Sequence, residues 1–170
     1  MIHFHDLSGE TNEQIYDWIV EIASDIRSAD ADEIRATNPC LAIGDPDFVR
    51  VLMMSVMVSN LAFVITKSDK PFCIFGAGPD DTGDGVIWMI GTSVLEHDRA
   101  AKMAVGRQTN AVMELFLAFW PRLHNHVDAR NQQSIMWLLN AGFGIENVEL
   151  KHGREQRPFY LISKTKEPHV

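Results

Sequence analysis

A chain of 170 residues, 46% of them hydrophobic and 9% aromatic, carries enough apolar material for one well-packed domain, which excludes a disordered segment. Twenty-three Asp and Glu against fifteen Lys and Arg leave a net charge of −8, so the protein as a whole repels the phosphate backbone that dominates nucleic-acid affinity. No run is long and apolar enough to span a bilayer, and the opening MIHFHDLSGETNEQ lacks the basic-then-apolar order of a signal peptide. A cytoplasmic protein with no nucleic-acid or membrane partner is expected, with Cys40 and Cys73 reduced and unpaired.

Thr11 followed by Gln14 has the form of a capping box, and Ile15, Trp18, Ile19, Ile22 and Ile26 then recur at helical spacing, which predicts a one-faced helix ending near Ser28. ADADEIRATNP reads as a brief second helix and a loop, since Pro39 forbids continuation. Asp45 and Pro46 form a helix start, and FVRVLMMSVMVS behind them is apolar on nearly every side, so that helix is expected to be buried on two faces, with Met53, Met54 and Met57 as core filler.

LAFVITK and FCIFGAG, joined by SDKP, read as a hairpin. GAGPDDTGDG reads as a loop; it has neither the Gly-Lys-Ser/Thr of a phosphate loop nor the carboxylate spacing of a calcium loop. VIWMIGTSVL completes a three-stranded meander. A long helix is predicted from about Asp98 to Phe119, with Val112, Leu115, Phe116 and Phe119 on one stripe and Pro121 as its stop. LHNHV alternates as a short strand, Asn131 caps a helix with Ile135, Leu138 and Leu139 facing inward, and Gly142 supplies its exit. NVELKH and PFYLIS, separated by GREQR, close the chain as a hairpin. A strand, a long helix and a strand in the middle of this order require one parallel crossover inside an otherwise antiparallel sheet. Neither repeats nor a break in composition divide the chain, so residues 1–170 are read as one domain.

The letters HNH at residues 124–126 spell the name of a nuclease family, but that family spreads its ligands over a far longer unit, and here they fall on one short strand. His124 and His126 share a face and make half of a zinc site, with no Cys or carboxylate at a supporting spacing, so no metal is expected.

The order of elements, together with N-Q-Q-S-I-M-W-L-L-N-A-G-F at residues 131–143, resembles the GNAT superfamily, the Gcn5-related N-acetyltransferases. Asn131, Ser134, Gly142 and Phe143 match the asparagine, small residue and Gly-Phe pair of that family's helix after the fifth strand. IRSADADEI, W-x-I-G-T, N-H-V-x-x-x-N and W-L-x-x-x-G-F further resemble GNAT-like proteins of tailed phages, named after the internal core protein A of T7-like podophages. The resemblance implies an α/β (α+β) GNAT fold, a mixed and mostly antiparallel sheet with a central parallel strand pair flanked by helices. It also implies acetyl-CoA as co-substrate, an amine acceptor, and a pantetheine arm held between the two splayed parallel strands.

On that resemblance the cofactor is expected at Thr92, Ser93 and Val94, at the junction residues Arg99, Lys102, Gly106 and Arg107, and at Asn131 and Ser134. The family's phosphate loop, R/Q-x-x-G-x-G/A, is represented only by Gly106, and the position of its thiolate-protonating tyrosine is Leu138. Glu96 and His97 are the titratable candidates for catalysis near the end of the fourth strand. Two functions follow: an acyl-CoA-dependent N-acyltransferase, or a catalytically silent scaffold with a virion-assembly or host-interaction role, with phage or host proteins as partners. A homodimer is compatible with either.

Overall fold

The computed structural model describes residues 1–37 and 46–166. Seven strands form one mixed sheet in the order β1-β2-β3-β4-β5-β7-β6. The strands are β1 (Ile2–Asp6), β2 (Leu61–Lys67), β3 (Lys70–Pro79), β4 (Gly85–Gly91), β5 (Arg122–Asp128), β6 (Gly144–His152) and β7 (Arg157–Thr165). The helices are α1 (Asn12–Ser24), α2 (Ser28–Thr37), α3 (Phe48–Met57), the single turn α4 (Val94–His97), α5 (Arg99–Phe119) and α6 (Gln132–Asn140). Every neighbouring pair is antiparallel except β4 and β5, which the α5 crossover makes parallel.

Two apolar clusters lie on opposite faces of the sheet, because side chains alternate along each strand. Trp18, Ile19 and Ile22 of α1 and Leu52 of α3 pack on Val64 and Ile74, with Trp88 and Ile90 of β4 at the edge of that group. On the other face Val105, Met113, Phe116 and Leu117 of α5 and Ile135 and Leu138 of α6 cover Phe75, Ile87, Leu123 and Ile162, with Met89 and Trp137 at its margin.

Several expectations are corrected. β1 was not foreseen; Ile2 to Asp6 pair with Lys67 to Phe63 of β2. The first helix stops at Ser24, and Ile26 forms an isolated bridge with Thr92. The cap of α3 is Asp47, whose side chain accepts from the Arg50 amide; Asp45 and Cys40 lie outside the described residues. Only Leu52 of α3 is buried, and Met54 and Met57 are exposed, so that helix is covered on one side and two of its methionines fill no core. The inner stripe of α5 is Ala101, Val105, Thr109, Met113, Phe116 and Leu117, while Leu115 and Phe119 face outward. VIWMIGTSVL is not one strand: β4 ends at Gly91 and the chain turns into α4. The α5 span, the Asn131 cap, the left-handed Gly142 (φ 86°), the closing hairpin and the burial of Cys73 are as the sequence predicts.

Candidate functional site

β4 and β5 are paired only at Gly85 with Leu123 and Val86 with His124, and beyond that point they part. The closed end is tight: a Cβ on Gly85 would stand 2.8 Å from the Leu123 side chain and 2.9 Å from the Trp120 ring, so only glycine lets the strands meet there. At the open end the Gly91 N–H donates to Asp30 Oδ2 (2.8 Å) and the Gly91 carbonyl accepts from the Arg27 amide (3.0 Å). Backbone groups alternate sides along a strand, so the N–H and C=O of Ile87 and Met89 turn to the same side as those of Gly91, into the gap.

The gap is a cleft lined from both faces of the sheet. Asp30, Glu33 and Trp88 line one mouth, and Met113, Phe116, Trp137 and Leu138 line the other. Trp137 also borders two adjoining hollows, one reaching Lys102 and Gln133 and one reaching Phe4 and Gln108; its indole N–H donates to Thr109 Oγ1 (2.9 Å).

A polar network holds this open end. Arg27 and Asp30, each 2% exposed, form a two-pronged pair, with Nε to Oδ2 at 2.6 Å and Nη2 to Oδ1 at 2.7 Å. Arg27 also donates to Ser134 Oγ (2.7 Å) and Gln133 Oε1 (3.2 Å), and Asn131 Nδ2 donates to Asp30 Oδ1 and Glu33 Oε2, both at 3.3 Å. Asn131 Oδ1 meanwhile caps α6 by accepting the Ser134 amide. Burial disfavours the Arg27 charge, but the Asp30 carboxylate outweighs it and the pKa stands above its ordinary value. The starts of α2 and α6 and the end of β4 are thereby locked together, and a buried pair of this kind holds only while both partners are present.

Glu33 is the second carboxylate that lines the cleft. Burial pushes its pKa up to about 7, and the negative Asp30 and Asp128 nearby reinforce the shift against the hydrogen bonds from the Asp128 amide and Asn131. Those two bonds both end on Oε2, and Oε1 has no hydrogen-bond partner among the described residues. A carboxyl poised near neutrality in a cleft is the form a proton acceptor takes.

The start of α5 has the opposite character. Asp98 accepts from the amides of Ala100 (2.9 Å) and Ala101 (3.1 Å) and forms an ion pair with Lys67, which with the Ala101 bond holds its carboxyl below the usual range. The helix amides that would attract a phosphate are already answered by a carboxylate of this chain.

The residues expected from sequence divide accordingly. Asn131 and Ser134 stand in the network and line the cleft. Thr92 is buried beside it, its hydroxyl donating to the Phe72 carbonyl, and Ser93 donates to Asp25. Val94, His97, Asp98 and Arg99 border a separate, shallow depression. Lys102 donates to the Glu96 carbonyl, and Gly106 and Arg107 are exposed on α5. Glu96 and His97 lie 3.7 Å apart on α4, and neither lines the cleft; the His97 side chain is 79% exposed. The sequence reading missed Arg27, Asp30 and Glu33, although all three sit inside the quoted IRSADADEI.

Two side-chain groups gather on the sheet where sequence spacing showed half a metal site: His126 with Glu149 and His152, and His124 with Asp80 and Asp84. Strand pairing supplies the carboxylates from distant parts of the chain.

No protein-family model matches the sequence, and no curated protein is similar to it. Solved structures are similar over the whole chain. The ribosomal-protein-S18-alanine N-acetyltransferase from Escherichia coli superposes with a TM-score of 0.64 at 12% identity, covering 100% of this chain and 97% of that one. An acetyltransferase of the GNAT family from Streptococcus pneumoniae gives 0.61 at 15% identity over 97% and 99%. The spermidine N-acetyltransferase from Vibrio cholerae in complex with CoA and spermine gives 0.59 at 12% identity over 96% and 95%. From end to end, then, this chain has the GNAT fold, with its mixed sheet and single parallel strand pair.

Proposed function

We propose that the chain is an N-acyltransferase that takes acetyl-CoA or a related acyl-CoA as donor and an amine as acceptor. The observation that carries this reading is the unpaired edge of β4 opposite β5, with Glu33 at one mouth of the gap. An amide-bearing pantetheine arm fits such an edge as an added strand, pairing with the N–H and C=O groups of Ile87 and Met89. The Met89 N–H then polarises the thioester carbonyl.

The amine enters from the α2 side. Its nitrogen attacks the carbonyl carbon, the C–N bond forms, and Glu33 takes the proton that the nitrogen sheds. Collapse of the tetrahedral adduct breaks the C–S bond and releases the thiolate. Leu138 has no proton to give, so the thiolate is protonated from water. Arg27, Asp30, Asn131 and Ser134 touch no reacting atom; they fix the strand end and Glu33 in place. The phosphates fit less well, because Asp98 occupies the α5 amides, and Arg99, Lys102 and Arg107 are the cations left to meet them.

The test is release of free thiol from acetyl-CoA on a panel of polyamines, aminoglycosides and peptides, with Glu33→Gln in parallel. Saturable release that collapses in Glu33→Gln is expected. No thiol release from any amine, with no heat on titrating acetyl-CoA, would overturn the proposal. Asp98 at the helix start and Leu138 in place of a tyrosine favour one alternative, a GNAT scaffold without turnover that serves virion assembly or host interaction. That alternative predicts the protein in purified particles and no turnover at all.

A further inference from the structure

The sheet face that carries His124 and His126 also carries two clusters of ligating side chains, and their chemistry differs. In the first, Asp80 pairs with His124 (2.8 Å) while Asp84 is held by the Arg122 guanidinium (2.7 Å), so a fixed cation already answers one carboxylate. In the second, Glu149 Oε1 lies 3.1 Å from His126 Nε2 and Oε2 lies 2.5 Å from His152 Nδ1, and both hydrogen bonds of its side chain run to imidazoles.

We propose that His126, Glu149 and His152 bind a divalent transition-metal ion, with zinc the natural occupant. β7 runs between β5 and β6, and pairs His126 with Leu161 and Glu149 with Phe159, so the three side chains lean over β7 from both flanks. Their donor atoms all lie within 4.8 Å of one another. The imidazoles are stacked, 4.6 Å apart and 13° from parallel, and His152 rests against the buried ring of Phe159 at 4.6 Å. Both rings already aim a nitrogen at the same carboxylate. An ion at about 2.0–2.2 Å from each donor replaces that shared hydrogen-bond partner once Glu149 rotates and the rings fan slightly apart. Each imidazole then carries its remaining proton on its other nitrogen, as a metal ligand must.

Two imidazoles and one carboxylate suit zinc, nickel or copper far better than magnesium or calcium, which prefer oxygen ligands only. Three protein ligands leave a fourth position open. The ion would tie β5 to β6 across β7. It would also stand one pleat from Asp128, whose amide carries Glu33, on the acceptor side of the sheet.

The experiment uses the full chain without an affinity tag, titrated with zinc by calorimetry and with cobalt by its visible ligand-field absorption. His126→Phe and His152→Phe keep an aromatic ring in the stack and remove the nitrogen. His3→Ala with His5→Ala is the control, because those rings form the other histidine pair, 6.2 Å apart on β1. Expected is one ion per chain, a melting temperature raised by zinc, a loss of affinity of about tenfold or more in each Phe variant, and no change in the control. Zinc binding that the Phe variants leave intact, binding that disappears in the control, or no binding at all would overturn the proposal. Melting curves of the metal-free variants separate loss of a ligand from loss of the fold.

Discussion

The two ends of the proposed donor site are built on opposite principles. At the strand gap, Arg27, Asp30, Asn131 and Ser134 bond one another and hold Gly91, while Ile87 and Met89 of β4 have no β5 partner, so the protein has done its ordering before a ligand arrives. At the start of α5 the reverse holds: the amides are taken by Asp98, and a ligand's phosphates must compete with a carboxylate and its Lys67 partner. Backbone topology leaves a strand edge open at one end, where the proposed thioester would lie, and leaves the helix start at the other to whatever side chain the sequence puts there. A fold is inherited whole, and its chemistry is filled in locally.

Substitutions at each end sharpen or break that contrast. The largest effect is expected at Glu33: Glu33→Gln keeps both hydrogen bonds at Oε2 and removes the base, so turnover falls about 10²–10⁴-fold in the thiol-release assay. Wild-type turnover should rise as pH increases through about 7, where Glu33 ionises. The stability of the fold moves the other way. A carboxyl whose folded pKa is raised contributes stability that is fully present below its ordinary value near 4.5 and is lost as pH climbs through about 7. Glu33→Gln is therefore expected to melt higher than wild type at pH 8, by on the order of 2 kcal/mol in stability, and to show little difference at pH 4. A pH-independent difference would remove Glu33 as a base poised near neutrality.

Arg27→Met comes next. It leaves Asp30 buried without its partner, and denaturant unfolding should show a loss of roughly 3–5 kcal/mol. Arg27→Met with Asp30→Leu should recover much of that loss, because neither charge is then left alone. Asp98→Asn tests the other end: with the negative charge gone from the α5 start, acetyl-CoA should bind up to about tenfold tighter by calorimetry, with fold stability lowered only slightly, because Asn caps as well as Asp and only the partly exposed Lys67 pair is lost. Unchanged affinity would mean that the phosphates never visit this helix start. The smallest effect is expected at Gly106, exposed in the interior of α5 with open space around it. Gly106→Ala should stabilise the protein by about 0.5–1 kcal/mol and leave thioester binding alone; weakened binding would return Gly106 to the donor site.

Much of this architecture was legible in the sequence for identifiable reasons. The Asn131 cap and the Gly142 exit are local signals, and the crossover through α5 follows from element order. β1 was hidden because its alternation sets His3 after Ile2 and His5 after Phe4, a pattern that resembles a polar leader more than an edge strand. α3 looked buried because nearly all its residues are apolar, yet burial is set by which neighbours cover a helix, and here one side is open. The site was missed for a subtler reason. IRSADADEI reads as an acidic helix start, and nothing in its spacing announces that Arg27 and Asp30 will be closed over by α6 or that Glu33 will lose its water. The local signal is Arg27 three residues before Asp30 in a stretch otherwise crowded with acids, a spacing that lets the two pair on one helix face. The partners of His126 were equally invisible, since Glu149 and His152 come from the far side of a hairpin.

The indole of Trp137 is shared by the cleft and both hollows beside it. A ring common to three compartments is the partition between them, and its hydrogen bond to Thr109 is worth about 1 kcal/mol. The placing of that one side chain therefore decides how the space along α5 is divided, and a smaller residue there would join the three into one trough.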